Sequence, residues 1–389
     1  MSAQQTQIGV IGAGAMGSGI AQVAALKGYP VVVYDTNEVQ LQKASVHFTN
    51  TIHKLIEKGK IPASTGEQAL RSLTFTGEMA SMAKAAIVIE AVIENLEVKQ
   101  SIFMALENIV SPGCILASNT SSLSITSIGG RCTHPERVIG LHFFNPAPLM
   151  PLVEIIPGFS TEGQIISKAS QLMLDWGKVI VIAKDTPGFI VNRVARSFYG
   201  EALRIYEEGI ASFDTIDWAM KHFGQFKMGP FELMDLIGND INYTVTETVW
   251  KQMYFDARYK PSLTQKRMVE ANRLGRKTGK GYYDYSPEGI RVVANDKDGL
   301  TKDEALGQNI FMRVMVMLIN EALDNVYLQT ATASDIDLAM VKGVNYPKGL
   351  LAWGEEMGWK MVFNTLNDLF ELYGEDRYRP SVLLKKKLQ

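Results

Sequence analysis

The sequence predicts an α/β domain with a doubly wound sheet, followed by two homologous all-α domains. Three observations carry that prediction. Short β-branched runs alternate with helical patterns through the first half, almost everything after Pro187-Gly188 reads as helix, and the helical half repeats itself. A chain of 389 residues exceeds what one compact core usually serves, since domains run about 100 to 200 residues. The expected boundaries are 1–186 for the sheet domain, 187–286 for the first helical domain and 300–389 for a second, degenerate copy.

Gln7 to Ile11 is the first expected strand, and Met16 to Lys27 forms a helix that stops at Gly28, a residue suited to a left-handed C-cap. Pro30 opens the next strand, Val31 to Tyr34. From Glu38 to Gly59 the apolar residues Leu41, Phe48, Ile52 and Leu55 recur at helical spacing, while His47, Thr51, Lys54 and Lys58 form a polar stripe. Ala86 to Glu90 and Ile115 to Ala117 are further strands. In "IGLHFFNPAPLMPLVEII" prolines 146, 148 and 151 separate two apolar, strand-like pieces.

The repeat appears when "NRVARSFYGEAL" is laid on "MRVMVMLINEAL" at a constant shift of 120 positions. Without gaps, Arg193, Glu201, Asp217, Gly229 and Gly238 then meet Arg313, Glu321, Asp337, Gly349 and Gly358, among other identities. A duplicated helical unit follows, with a linker around "YDYSPEGIRVVANDKDG", where Pro287, Gly289 and Gly299 break the pattern.

Composition removes several functional classes. With 39 Lys and Arg against 41 Asp and Glu, no global field recruits nucleic acid or an anionic membrane. Cys114 and Cys132 lack metal-ligand spacing and cannot form a disulfide framework, which points to a reducing compartment and a cytoplasmic address. No metal site is expected. No run reaches the roughly 18 apolar residues of a membrane span; "IFMRVMVMLI" contains Arg313 and reads as a buried helix. The start "MSAQQTQ" has no secretory pattern, and Lys385-Lys386-Lys387 reads as a solvated tail.

"IGVIGAGAMGSG" carries Gly12, Gly14 and Gly17 as G-x-G-x-x-G between a strand and a helix, the context that gives this motif its meaning. The first glycine permits the tight turn, the second lets backbone approach a pyrophosphate, and the third lets helix and strand pack closely. Gly12, Ala13, Gly14, Ala15, Met16 and Gly17 thus form the expected cradle of a Rossmann-type domain, with free amides at the helix N-terminus. Asp35 ends the second strand, where an acid bonds both ribose hydroxyls; Thr36 and Asn37 beside it are neutral, so NAD is favoured over NADP. The competing reading is a glycine-rich turn that binds no nucleotide.

His142 and Glu154 stand on the two pieces of the proline-interrupted run. Glu154 has apolar neighbours along the chain, so its ionised form needs a partner, and His142 is nearby. A histidine held by a carboxylate is poised to take a proton from a hydroxyl. The hairpin alone is equally compatible with a buried structural pair. "ASNTSSLSI" follows a strand at its carboxyl end, where open parallel sheets bind ligands; Asn119 and Ser121 there suit hydrogen bonding to substrate or cofactor, or simply a helix cap.

Taken together, "GAGAMGSGIA", "EAVIENLEVK", "SNTSSL", "GLHFFNP", "LVEII", "DTPGFIVNR" and "GPFELMDLIG" resemble the L-3-hydroxyacyl-CoA dehydrogenase family, in order over residues 5 to 285, most closely its 3-hydroxybutyryl-CoA and 3-hydroxyadipyl-CoA branch. The resemblance implies NAD-dependent, reversible oxidation of a short (3S)-3-hydroxyacyl-CoA to the 3-oxoacyl-CoA, as in fatty acid β-oxidation. It implies His142 as general base, Glu154 as its partner, Ser121 on substrate hydroxyl and cofactor, and Asn192 on the reacting oxygen. Glu94, Lys99, Asn145 and Lys277 match NAD contacts, beside Asn119, and Thr51, Lys54 and Lys58 match the helix that receives CoA, where cations would meet phosphates.

The rival readings are a related dehydrogenase on a free hydroxy or sugar acid, of L-gulonate type, and a non-catalytic NADH-binding protein. Position 312, equivalent to Asn192 in the second copy, is Met, so that copy reads as structural. Two-domain relatives dimerise through the single helical domain; an internal copy on that surface would give a pseudo-dimer within one chain, with further homo-oligomerisation left open. Arg196 and Arg204, near Asn192, could suit a dicarboxyl substrate, but are expected to be solvated charges on a helix face.

Overall fold

The computed structural model describes residues 6–289, 291–292 and 301–389, so part of the linker expected at 283–299 lies outside the described residues. The chain divides into two compact units, Met1–Phe189 and Ile190–Gln389.

The first unit is an eight-stranded sheet: β1 (Gln7–Ile11), β2 (Val31–Tyr34), β3 (Leu73–Thr76), β4 (Ala85–Glu90), β5 (Ile115–Ser118), β6 (Val138–Phe143), β7 (Leu152–Pro157) and β8 (Val179–Ile182). Its order is β3-β2-β1-β4-β5-β6-β7-β8, and every neighbouring pair runs parallel except β6 and β7. Helices α1 (Ala15–Leu26), α2 (Glu38–Glu57), α3 (Ala63–Ser72), α4 (Leu96–Glu107), α5 (Ile125–Gly129) and α6 (Gly163–Asp175) connect the strands. The chain leaves β1 toward β2 on one side and β4 lies on the other, so the topological switch point falls beside β1, where such sheets open a ligand crevice. The strands are nearly continuous apolar runs because helices cover both faces.

Local sequence sets the element ends as read. Gly28 takes φ +83° after α1, and the Asn37 side chain accepts the Gln40 N–H to start α2. Two further strands, β3 (LTFT) and β8 (VIVI), close the two edges of the sheet.

The second unit is helical: α7 (Val191–Val194), α8 (Arg196–Glu207), α9 (Phe213–Gly224), α10 (Pro230–Ile237), α11 (Asn239–Gln252), α12 (Leu263–Glu270), then α13 (Glu304–Tyr327), α14 (Ala333–Gly343), α15 (Leu350–Met357), α16 (Trp359–Tyr373) and α17 (Val382–Lys386). The repeat is visible in the bonds. Asp217 accepts the N–H groups of Phe231 and Glu232 at the start of α10, and Asp337 accepts those of Leu351 and Ala352 at the start of α15. The first copy breaks its leading helix at Ala195 between α7 and α8, whereas α13 runs unbroken.

The copies embrace through exchanged ion pairs. Arg193 Nε lies 2.7 Å from Glu321, and Arg313 Nε lies 2.7 Å from Glu201. Tyr259 donates to Glu321 and Tyr378 donates to Glu201, each at 2.6 Å. Burial pushes the Glu201 carboxyl up, but Arg204, Arg313, Arg377 and the Tyr378 hydroxyl outweigh it and hold it below the usual range. Arg196 and Arg204, read from sequence as solvated, are both buried. Helix α8 lies with nearly every residue covered, so helical spacing gave no polar face to place them on.

Candidate active site

The glycine loop after β1 meets three different steric demands. Gly12 has φ +103°, and a Cβ there would stand 2.7 Å from the Ala91 carbonyl oxygen; a Cβ on Gly17 would stand 1.9 Å from that of Gly12. A Cβ on Gly14 would meet nothing within 4 Å. Two of the glycines are therefore required by the protein's own packing. The third borders open space at the N-terminus of α1, whose N-cap offers no side-chain bond to its amides. That is the fit a pyrophosphate needs.

Asp35, just past β2, accepts the Ala13 N–H at 2.8 Å and the Asn37 N–H at 2.9 Å. Its carboxylate thus ties the loop to the end of β2, and it lines a groove of about 690 Å³ with Ile11, Tyr34, Met79, Val92 and Ile102. An apolar-walled slot with an acid at its mouth suits an adenosine, whose base stacks on aliphatic walls and whose ribose hydroxyls donate.

Glu94 gathers the next loop. Its Oε1 accepts from the Thr120 hydroxyl at 2.6 Å and from the Ser121 and Ser122 amides at 2.9 and 3.1 Å. Burial pushes the Glu94 carboxyl up, but the Lys99 charge and these hydrogen bonds outweigh it and hold it below the usual range. Lys99 itself is 1% exposed, with its ammonium 2.7 Å from Glu90 and 3.4 Å from Glu94. Glu90, which the sequence gave no reason to single out, also accepts from the Ser118 hydroxyl at 2.6 Å and the Val92 N–H at 2.7 Å. Asp185 was likewise unmarked; it accepts from Ser124, Ile125 and Thr126 at the start of α5. Both acids serve backbone groups or residues distant in sequence, so no local spacing reveals them.

His142 on β6 and Glu154 on β7 are direct antiparallel partners, and Nδ1 of the ring lies 2.6 Å from Oε2 of the carboxylate. Phe144 and Phe189 flank the imidazole, with ring centroids 4.5 and 5.8 Å away. With Nδ1–H donating to Glu154, the neutral ring holds its lone pair on Nε2, for which no protein partner stands among the described residues. The Asn119 carbonyl oxygen accepts the Phe143 N–H at 2.8 Å, which fixes that loop to the strand bearing His142.

Thr51 lines a second groove, of about 550 Å³, running from Gly14 and Ala15 past Lys43 and His47 on α2 to Asn145 and Leu149. Lys54 and Lys58 are exposed farther along the same helix and pair with no carboxylate among the described residues. In the helical unit, Lys277 bonds both Asp240 oxygens at 2.6 and 2.7 Å. Asn192 lies in the first turn of the first copy, its carbonyl accepting from Arg196 Nε at 2.8 Å.

Comparison with known proteins matches this arrangement. Residues 7–186 match the 3-hydroxyacyl-CoA dehydrogenase NAD binding domain, and the C-terminal domain of that family matches twice, at 188–285 and 310–389. The chain is 37% identical to the 3-hydroxyadipyl-CoA dehydrogenase of Escherichia coli, over 98% of this chain and 97% of that one. It is 40% identical to the mitochondrial hydroxyacyl-coenzyme A dehydrogenase of Sus scrofa, over 71% of this chain and 90% of that one. A crystal structure described as 3-hydroxybutyryl-CoA dehydrogenase from Escherichia coli K12 superposes with a TM-score of 0.90 at 35% identity, covering 100% of this chain and 98% of the other. The chain belongs to the 3-hydroxyacyl-CoA dehydrogenase family, and it is an NAD-dependent oxidoreductase of 3-hydroxyacyl-CoA.

Proposed function

We propose that His142 is the general base of this oxidation, on the strength of one observation: the bond of Nδ1 to the buried Glu154, which leaves Nε2 as the ring nitrogen turned away from the carboxylate. Nε2 takes the proton of the C3 hydroxyl as the hydride leaves C3, and Glu154 stabilises the imidazolium that results. NAD, when bound, supplies the hydride acceptor. In the reverse direction the imidazolium returns its proton to the 3-oxo oxygen.

The other roles follow the family resemblance. Gly12, Ala13, Gly14, Ala15, Met16 and Gly17 hold the diphosphate, Asp35 holds the ribose, and Glu94, Asn119, Ser121, Asn145 and Lys277 contribute to the cofactor site. Lys99 acts through Glu94, because its own ammonium is enclosed. Ser121 and Asn192 meet the reacting oxygen, and Thr51, Lys54 and Lys58 meet CoA. Residues 1–186 form the cofactor domain, 187–286 the catalytic helical domain and 300–389 its supporting copy.

Short acyl groups such as 3-hydroxybutyryl are the proposed substrates, and the cytoplasm the proposed place; among the described residues no helix is long and apolar enough to cross a membrane. The test follows NADH with acetoacetyl-CoA against free acetoacetate. Turnover requires the CoA thioester, and His142→Ala lowers kcat by about 10²- to 10⁴-fold while NADH still binds. Equal rates on the free acid, or full turnover without the imidazole, would overturn the reading.

A further inference from the structure

Between β6, which carries His142, and β7, which carries Glu154, the chain reads "FNPAPLMP", and Pro146, Pro148 and Pro151 remove backbone N–H donors from it. The Pro146 carbonyl is served inside the loop, by the Leu149 and Met150 amides at 2.9 and 3.0 Å. The carbonyls of Ala147 and Met150, each followed by a proline, take their donor from another part of the sheet.

That donor is Lys178. Its Nζ donates to the Ala147 carbonyl at 2.5 Å and to the Met150 carbonyl at 2.8 Å, with the centroid of the Phe143 ring 6.0 Å away. The residue is 8% exposed, and no carboxylate pairs with it among the described residues. Its neighbour in charge is another cation, Lys27 at the end of α1; burial and that charge push the Lys178 amine down to about 8. An ammonium enclosed without a counter-charge costs free energy that an apolar side chain in the same place would not.

The backbone around this side chain is fixed at both ends. The Lys178 N–H donates to the Met173 carbonyl of α6 at 3.0 Å, and the Val179 N–H donates to the Pro151 carbonyl at 2.8 Å as β8 begins. Rigid elements thus hold the lysine while the lysine holds the loop.

The loop is one wall of a binding groove. Residues 145–149 border the groove of about 550 Å³ whose opposite side includes Gly14, Ala15 and Thr51. Contact with α1 is close, since a Cβ on Gly19 would stand 3.2 Å from Pro148 and 3.3 Å from Ala147. Ala147 therefore faces α1 with its side chain and Lys178 with its carbonyl.

We propose that Lys178 is a positioning residue for this groove: its ammonium clasps the loop between His142 and Glu154 beside α1 before any ligand arrives. The inference rests on the reading that Gly14 and Asn145 meet NAD and that Thr51 meets CoA. A wall ordered in advance loses less freedom on binding, so the clasp lowers Kd and KM. It contributes little to kcat, because His142, Glu154 and Ser121 lie off the loop and at saturation the ligands themselves hold the wall.

The test separates affinity from turnover. Lys178→Met keeps an apolar stem and loses both bonds. It should raise the Kd for NADH, read from the cofactor's fluorescence, and the KM for acetoacetyl-CoA by about 10-fold each, the scale of a lost hydrogen bond from a charged donor, while kcat stays within about 3-fold. Lys178→Arg, which can still donate to two carbonyls, should recover most of the affinity. Lys178→Gln, shorter and uncharged, moves Kd and KM in the same direction and serves if the methionine variant does not fold. Unchanged Kd and KM, a fall in kcat with KM unmoved, or an arginine variant as weak as the methionine one overturns the assignment. If the wild type neither binds NADH nor reduces acetoacetyl-CoA, the reading of the groove fails first and this inference with it.

Discussion

Arg313 of the second helical copy reaches Glu201 of the first, Nε to Oε1 at 2.7 Å, and Arg193 and Glu321 make the same bond with the copies exchanged. Both carboxylates are wholly buried, and each also takes a tyrosine hydroxyl from the opposite copy. The two halves therefore complete each other's charges.

Removing one of the exchanged arginines leaves each buried glutamate a single contacting arginine, Arg204 at 3.1 Å from Glu201 or Arg258 at 3.1 Å from Glu321. Arg313→Met and Arg193→Met should each lower unfolding stability by about 1.5 to 3 kcal/mol, the scale of a buried hydrogen bond to a charged group. Urea unfolding followed by far-UV circular dichroism measures this. A loss below about 1 kcal/mol, the scale of a surface pair, would contradict it.

Gly14→Ala and Gly17→Ala separate ligand fit from protein packing. The Cβ at 17 collides with backbone at Gly12, so that variant should unfold at lower temperature even without NAD. The Cβ at 14 touches no protein atom, so that variant should keep its Tm and raise the Kd for NADH by about 10-fold or more. Thermal melts with and without NADH check both; a lowered apo Tm for Gly14→Ala would contradict the open cradle.

Glu94 gives the loop from Thr120 to Ser122 an acid limit. Its folded carboxyl lies below the ordinary value of 4.5, so the stabilisation it supplies is complete above that pH and is lost as pH falls through the folded value. Glu94→Gln should remove this part of the acid dependence, and NADH binding by the variant should change less than that of the wild type below pH 4.5. Parallel pH profiles for the two proteins would refute it.

Much of the site was legible because its residues lie where local pattern is strong. Gly12 to Gly17 sits between a clear strand and a clear helix, and His142 and Glu154 sit on two apolar runs bent together by prolines. The burial of Arg196 and Arg204 was not legible, since spacing along one helix cannot reveal that α8 is covered by neighbours from both repeats. Lys99, matched by resemblance to an NAD contact, is enclosed for a related reason: only the fold brings Glu90 beneath it. Charges enclosed by distant partners escape any reading along the chain.

The gapless repeat has a practical consequence. Duplication followed by divergence has left one polypeptide with two versions of the same helical scaffold, so polar residues near Asn192 come with apolar counterparts in the second copy. At the shift of 120 positions Met312, Val316, Val362 and Leu366 answer Asn192, Arg196, Asn242 and Thr246, a template for mutagenesis written into the protein itself.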